Sequence, residues 1–282
     1  MEPPYLREDI AEALELHGPS SHGATAALFD RVGTLEGEVY RAVASRRTLR
    51  FVADGRAYFL KRHGGVGWGE IFKNLLTLRL PVLGARNEYL TCRHLAQHGI
   101  SAPQVAAFAE RGHNPAARES FVICDALEGF ESLEDLAERW ESSPPDPLLK
   151  RRLVMAVARF ARAMHEAGVV HRDFYICHLL VNRRALERGE VELAVIDLHR
   201  AQIHRHLPQR WRRRDLAALL FSVLDLPLGR STWLRFVRVY RGRPLRDVWA
   251  EEGGFWDDVY ARAVALYRKG QRRGLVTGRF QP

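Results

Sequence analysis

The sequence predicts an α+β protein with two lobes: a small antiparallel sheet carrying one main helix, then a mainly helical lobe. Three observations predict it. Short apolar runs bounded by turn residues fill the first part of the chain, and a helical period takes over after Leu133. The length of 282 residues suffices for two lobes of roughly 100–150 residues each. The expected divisions are an N-terminal segment of unassigned role (1–30), a first lobe (31–128) and a second lobe (129–282).

In chain order, "EVYRAV", "TLRFVA" and "AYFLKRH" read as three strands. "ASRR" and "DG" fall between them as turns, and Asp54-Gly55 is a strong hairpin signal. A glycine-dense stretch, "HGGVGWGE" (His63–Glu70), follows as either an acceptor-binding loop or a plain connection. Ala85–Gly99 reads as a helix stopped by its glycine. "QVAAFAE" and "SFVICDAL" supply a fourth and a fifth strand, with a hinge near Leu127–Leu133. Ser132 caps "SLEDLAERW", and Pro147–Gly168 is a long amphipathic helix that ends in glycine. Short strands are expected at "LLVN" and "ELAVID". Four helices then complete the chain: "RWRRRDLAALLFSVLD", "TWLRFVRVY", "PLRDVWAEE" and "FWDDVYARAVALYRKGQRR".

Composition narrows the function classes. Hydrophobic content of 46% and charged content of 27% belong to a globular chain rather than a disordered one. The opening "MEPPYLREDIAEALELHG" lacks the apolar core of a secretory signal, and "LAALLFSVL" is half a membrane span. A cytoplasmic location is therefore expected. Cys92, Cys124 and Cys177 form no CxxC pair, which argues against a zinc ribbon or a disulfide framework. The net charge is +9, and only 4 of the 43 basic residues are lysine. Coding bias would produce that preference; so would a phosphate-rich or carboxylate-rich partner, which arginine forks hold at two points.

The decisive stretch is "VVHRDFYICHLLVN" (Val169–Asn182). Moving a γ-phosphoryl group demands positioning and charge neutralisation more than covalent chemistry. It needs a cation on the α/β phosphates, a partner for that cation, a base for the attacking hydroxyl, and a carboxylate for metal. Lys61 at the end of the third strand and Glu88 in the first helix, 27 residues apart, are candidates for the first two. Asp173 of His171-Arg172-Asp173 is the candidate base. Asp197 closes the apolar run "LAVID", where a charge needs a partner such as magnesium.

Protein-kinase loops of this type carry Lys and Asn where this chain has Tyr175 and His178. His178 has three readings: a metal ligand poorer for magnesium than an amide oxygen, an orienting group for a phosphate or for Asp173, or a structural histidine. The first hairpin lacks a glycine-rich phosphate flap, so Arg46 and Arg47 are candidates to cover phosphates by charge. Six arginines between Arg200 and Arg214 follow Asp197. They form either a solvated face or a surface for an anionic acceptor, with Arg200 and Arg205 foremost.

Taken together, "DGRAYFLKRHGGVGWGEIFKNLL", "LPVLGARNEY", "HRDFYICHLL", "VIDLHRAQ" and "RWRRRDLAALLFS" resemble the heptose kinases of lipopolysaccharide core assembly, a branch of the protein-kinase-like superfamily. The resemblance runs from about Gly37 to about Arg272 and leaves the first 30 or so residues uncovered. It implies a protein-kinase-like fold and ATP with Mg2+ as cofactors. Lys61 is implied as the ATP contact paired with Glu88, Asp173 as the base, with His171 and Arg172 beside it, and Asp197 as the metal ligand. Tyr175 and His178 match the family's own loop. The implied acceptor is the first heptose of a lipid A-linked core oligosaccharide, at the anionic inner face of the inner membrane of a Gram-negative bacterium. An acidic carrier protein suits the basic surface equally. A Tyr or Ser protein kinase and a non-catalytic binder of anionic polymers are the alternatives. No ordered set of base-stacking aromatics is evident near the arginine runs, so no nucleic acid is expected.

Overall fold

The computed structural model describes residues 3–15, 24–43, 46–65, 67–69, 84–274, 276 and 280. The chain divides into two compact units, one made of 1–96, 103–128 and 198–200, the other of 97–102, 129–197 and 201–282.

The first unit is built on β1 (Tyr5–Leu6), α1 (Glu8–Ala13), α2 (Ala24–Gly33), β2 (Glu38–Val43), β3 (Arg46–Ala53), β4 (Arg56–His63), α3 (Arg86–Gln97), β5 (Val105–Arg111) and β6 (Glu119–Asp125). The strands form an antiparallel sheet in the order β1-β5-β6-β4-β3-β2. Alternation along β4 sends Tyr58 and Leu60 to one face, where they join Phe121, Ile123 and Leu49 under Ile10, Phe29 and Val32 of α1 and α2. Phe59 and Lys61 therefore point to the opposite face. There Tyr89 of α3 stacks on Phe108 of β5, ring centroids 4.1 Å apart. Both faces are covered, which is why β5 is buried along nearly its whole length.

The second unit begins with β7 (Phe130–Ser132), α4 (Leu133–Glu138), α5 (Pro147–Glu166), β8 (Val169–Val170), β9 (Leu179–Asn182), α6 (Arg183–Glu187), β10 (Leu193–Val195) and β11 (Gln202–Ile203). It ends with α7 (Gln209–Phe221), α8 (Arg230–Arg241) and α9 (Leu245–Gln271). Strands β10-β9-β7 form one small sheet and β11-β8 another. Ser132 accepts a hydrogen bond from the Asp135 N–H, as its capping sequence predicts. Gly168 has φ +77°, and a Cβ there would lie 2.0 Å from the His204 carbonyl oxygen. Only glycine lets β8 and β11 approach so closely.

The expected α+β kinase-like architecture is present, with three differences of detail. A sixth strand, β1, joins the sheet because Tyr5 and Leu6 pair with Phe108 and Ala107; a two-residue strand leaves no alternation to read. Arg46 and Arg47, placed in a turn by "ASRR", lie in β3 opposite His63 and Arg62. The rest of that turn, residues 44–45, is outside the described residues, as are residues 66 and 70 of the glycine-dense stretch and residues 71–83 after it. Finally, "PLRDVWAEE" and "FWDDVYARAVALYRKGQRR" are one helix, α9, running through Gly253-Gly254. The buried stripe Val248, Phe255, Trp256, Val259, Ala263 and Tyr267 keeps helical spacing across the pair. Its packing outweighs the roughly 1 kcal/mol per glycine that an interior glycine costs relative to alanine.

Candidate active site

In the first unit, Lys61 Nζ lies 2.5 Å from Glu88 Oε1. The pairing follows from register: Lys61 shares the α3 face of the sheet, and Glu88 is in the first turn of that helix. Glu88 is 3% exposed and Lys61 17%. A carboxylate this buried is tolerated because the ammonium offsets its desolvation. Cys124, on the same sheet face, has its thiol pushed well up, first by a hydrogen bond with Cys92 and then by burial.

In the second unit, the loop after β8 is organised by a residue far from it in sequence. Asp215 of α7 is fully buried. Its Oδ2 accepts from the His171 N–H at 2.6 Å and its Oδ1 from the Arg172 N–H at 2.8 Å. These two hydrogen bonds to the backbone hold Arg172 at φ +73°, in the left-handed region. The Arg172 guanidinium carbon sits 5.4 Å from the Trp211 ring centroid. His171 is itself buried, with Nε2–H donating to the Ile196 carbonyl at 2.9 Å. Burial holds its imidazole below the usual histidine range, so the ring is neutral near pH 7.

His178 touches both Asp173 and Asp197. Its Nδ1 is 2.7 Å from the Asp173 carbonyl oxygen, and its Nε2 is 3.6 Å from Asp197 Oδ2. The His171 ring stacks on it, centroids 5.5 Å apart and 10° from parallel. Asp197 has φ +59°, two residues beyond the end of buried β10. The donor set fits a phosphate-bound divalent cation: a partly exposed carboxylate with an adjacent imidazole. Among the described residues no cluster of three or more His, Cys, Asp or Glu would hold a metal alone. Substrate phosphate oxygens would have to complete the shell, as they commonly do for magnesium.

The family description "Lipopolysaccharide kinase (Kdo/WaaP) family" matches residues 30–240. The chain belongs to this family. Curated relatives agree. It is 48% identical over 247 residues to the "Lipopolysaccharide core heptose(I) kinase WaaP" of Pseudomonas aeruginosa, covering 87% of this chain and 92% of that one. It is 43% identical over 248 residues to the Escherichia coli protein of the same name, covering 88% and 94%. A solved structure titled "WaaP in complex with acyl carrier protein" superposes with a TM-score of 0.77 at 40% identity, over 94% of this chain and 99% of that one. This member of the Kdo/WaaP family is thus a kinase, an enzyme that transfers a phosphoryl group to an alcohol.

Each residue singled out in the sequence has a definite place. Lys61 and Glu88 meet in the first unit; His171, Arg172, Asp173, Tyr175, His178 and Asp197 belong to the second. Arg46 is half-buried and Arg47 exposed on β3. Arg200 is half-buried in the first unit, and Arg205 is exposed in the second. Sequence reasoning missed Trp211, inside the arginine run, and Asp215, directly after it. The one available signal was an acid placed directly before the apolar "LAALLF", where a solvated arginine helix has no use for it.

Proposed function

We propose that this chain is an ATP- and Mg2+-dependent kinase that phosphorylates a hydroxyl of the first heptose of the lipopolysaccharide inner core. One observation carries the reading: His178 contacts both the Asp173 backbone and the Asp197 carboxylate, in a chain whose relatives are heptose(I) kinases. Bound magnesium–ATP supplies the phosphoryl group and neutralises charge on it. Asp173 accepts the proton of the attacking sugar hydroxyl. Asp197 holds the cation, and Lys61, kept extended by Glu88, contacts the α/β phosphates. His171 and Arg172 are positioning residues whose backbone Asp215 fixes. Arg46 and Arg47 remain candidates for the phosphates, and Tyr175, Arg200 and Arg205 for the anionic acceptor.

The acceptor is lipid-linked, so the enzyme would work peripherally at the cytoplasmic face of the inner membrane. Among the described residues no helix is long and apolar enough to cross a membrane. The net charge of +9 suits that anionic surface. An acidic acyl carrier protein is the proposed partner, by analogy with the solved relative. An apolar cavity of about 160 Å3 in the second unit, lined by Leu136, Trp140, Val157, Ile176, Leu219 and Phe236, has the character to take an acyl chain.

The test is incubation of the purified protein with magnesium–ATP and dephosphorylated core lipopolysaccharide, with the new phosphate located by mass spectrometry. Phosphate on the first heptose is expected, and Asp173→Ala abolishes it while the circular dichroism spectrum is retained. Wild-type protein that leaves the heptose unmodified overturns the reading. Substantial turnover in Asp173→Ala removes that residue from its role.

A further inference from the structure

We infer that Phe280 is a displaceable plug in the apolar cavity of the second unit, and that a long acyl chain enters by pushing its ring aside. This rests on the acyl-chain reading of that cavity and adds the residue that controls entry. Size makes a plug necessary. The cavity holds about 160 Å3 between side chains such as Leu136, Val157, Leu219 and Phe236. An apolar cavity of about 150 Å3 takes one benzene, roughly six carbons. A hexadecanoyl chain has more than twice as many, so it fits only if part of the wall leaves.

Phe280 is the part of the wall best placed to leave. Much of the remaining lining sits on α4, α5, α7 and α8, whose turns are fixed by their own backbone hydrogen bonds. Phe280 lies beyond the end of α9, in neither helix nor strand, and is half-buried. Among the described residues its backbone is held through one shared hydrogen: the Phe280 N–H donates to Asp225 Oδ1 at 3.0 Å and to the Tyr267 hydroxyl at 3.1 Å. The Tyr267 hydroxyl donates to the same Asp225 oxygen. The Phe280 ring meets the Tyr267 ring edge to face, centroids 5.3 Å apart. Tyr267 is itself buried on α9, so this anchor stays in place when the Phe280 ring moves. A segment with so few buried contacts opens at a lower free energy than the helices around it. While the plug is closed, the apparent affinity for a long chain is reduced to the fraction of molecules that are open.

The experiment uses the full chain, freed of bound lipid, with a fluorinated phenylalanine at position 280 alone. Fluorine NMR is recorded with hexanoate, with hexadecanoate and with hexadecanoyl–acyl carrier protein. Hexanoate fits beside the ring and should leave the resonance in place. A long chain should move it toward its position in urea-unfolded protein, where the ring is in water. The two long-chain arms separate the sources: movement with the carrier-borne chain only assigns the chain to a carrier, and movement with both shows that the chain suffices. Either supports the plug. Phe280→Ala, checked for fold by circular dichroism, should bind the long-chain probe about tenfold more tightly in calorimetry, as loss of a plug closed in about nine molecules of ten requires, and gain nothing for hexanoate. A long chain bound in both arms with the resonance unmoved overturns the plug and leaves the acyl-chain reading standing. So does equal movement with hexanoate, or an unchanged long-chain affinity in Phe280→Ala. Absence of long-chain binding in wild type and Phe280→Ala alike overturns the acyl-chain reading with it.

Discussion

Replacing Asp215 by alanine tests how the loop after β8 is held. The carboxylate accepts two buried backbone N–H groups, at 2.6 Å and 2.8 Å, and has no exposure to solvent. Truncation strands both donors, at about 1–3 kcal/mol each. It also releases Arg172 from φ +73°, a conformation that costs about 1–3 kcal/mol and persists only where its surroundings enforce it. Relief of a buried charge offsets part of this, leaving an expected loss of about 3 kcal/mol. Asp215→Asn keeps one acceptor oxygen and should lose about half as much. Urea unfolding measures both. Phosphoryl transfer should fall at least 100-fold in Asp215→Ala, because Asp173 follows Arg172 directly and a misplacement of about 1 Å has that effect. A variant with an unfolding free energy within about 0.5 kcal/mol of wild type and unchanged turnover refutes the reasoning.

Three further outcomes follow from particular contacts. Lys61→Met should destabilise by about 3 kcal/mol, since Glu88, 3% exposed, loses its cation; Glu88→Gln should cost about 1 kcal/mol, because its amide oxygen still accepts and Lys61 reaches water. Equal losses in denaturant titrations would contradict that asymmetry. Gly168→Ala forces a Cβ to 2.0 Å from the His204 oxygen at φ +77°, so the melting temperature should drop by several degrees, whereas the same change at exposed Gly55 meets no atom within 4 Å and is limited to its own φ strain. Burial pushes the Cys177 thiol up to about 11. Its alkylation by iodoacetamide, followed by peptide mapping, should therefore rise about tenfold per pH unit from pH 7 to 10; a plateau near pH 8.5 would mean the thiol is not buried as described.

Much of the site was legible in the sequence because its signals are local. Lys61 lies near the end of an alternating strand, Glu88 opens a helix, Asp197 closes an apolar run and Asp173 belongs to a His-Arg-Asp triplet; period, punctuation and motif point to these four candidates. The Asp54-Gly55 turn and the Ser132 cap were equally local, and both elements formed where they were expected. The covering of the sheet was harder to read. Ile10, Phe29 and Val32 look like ordinary helical apolar residues until strand register shows which face of the sheet requires them.

The family, the two-lobed α+β class and the identity of the acidic and basic groups were written in the order of residues, since motif spacing and hydrophobic period are properties of the chain itself. Tertiary structure alone decided that Asp215, 43 positions after Arg172, pins the loop's backbone, and that a carbonyl sets which nitrogen of His178 faces Asp197. The physical reason is that hydrogen bonds and tautomers depend on distances of a few ångströms between residues far apart in the chain, and an acid amid arginines gives no local sign of whether water or the protein interior surrounds it.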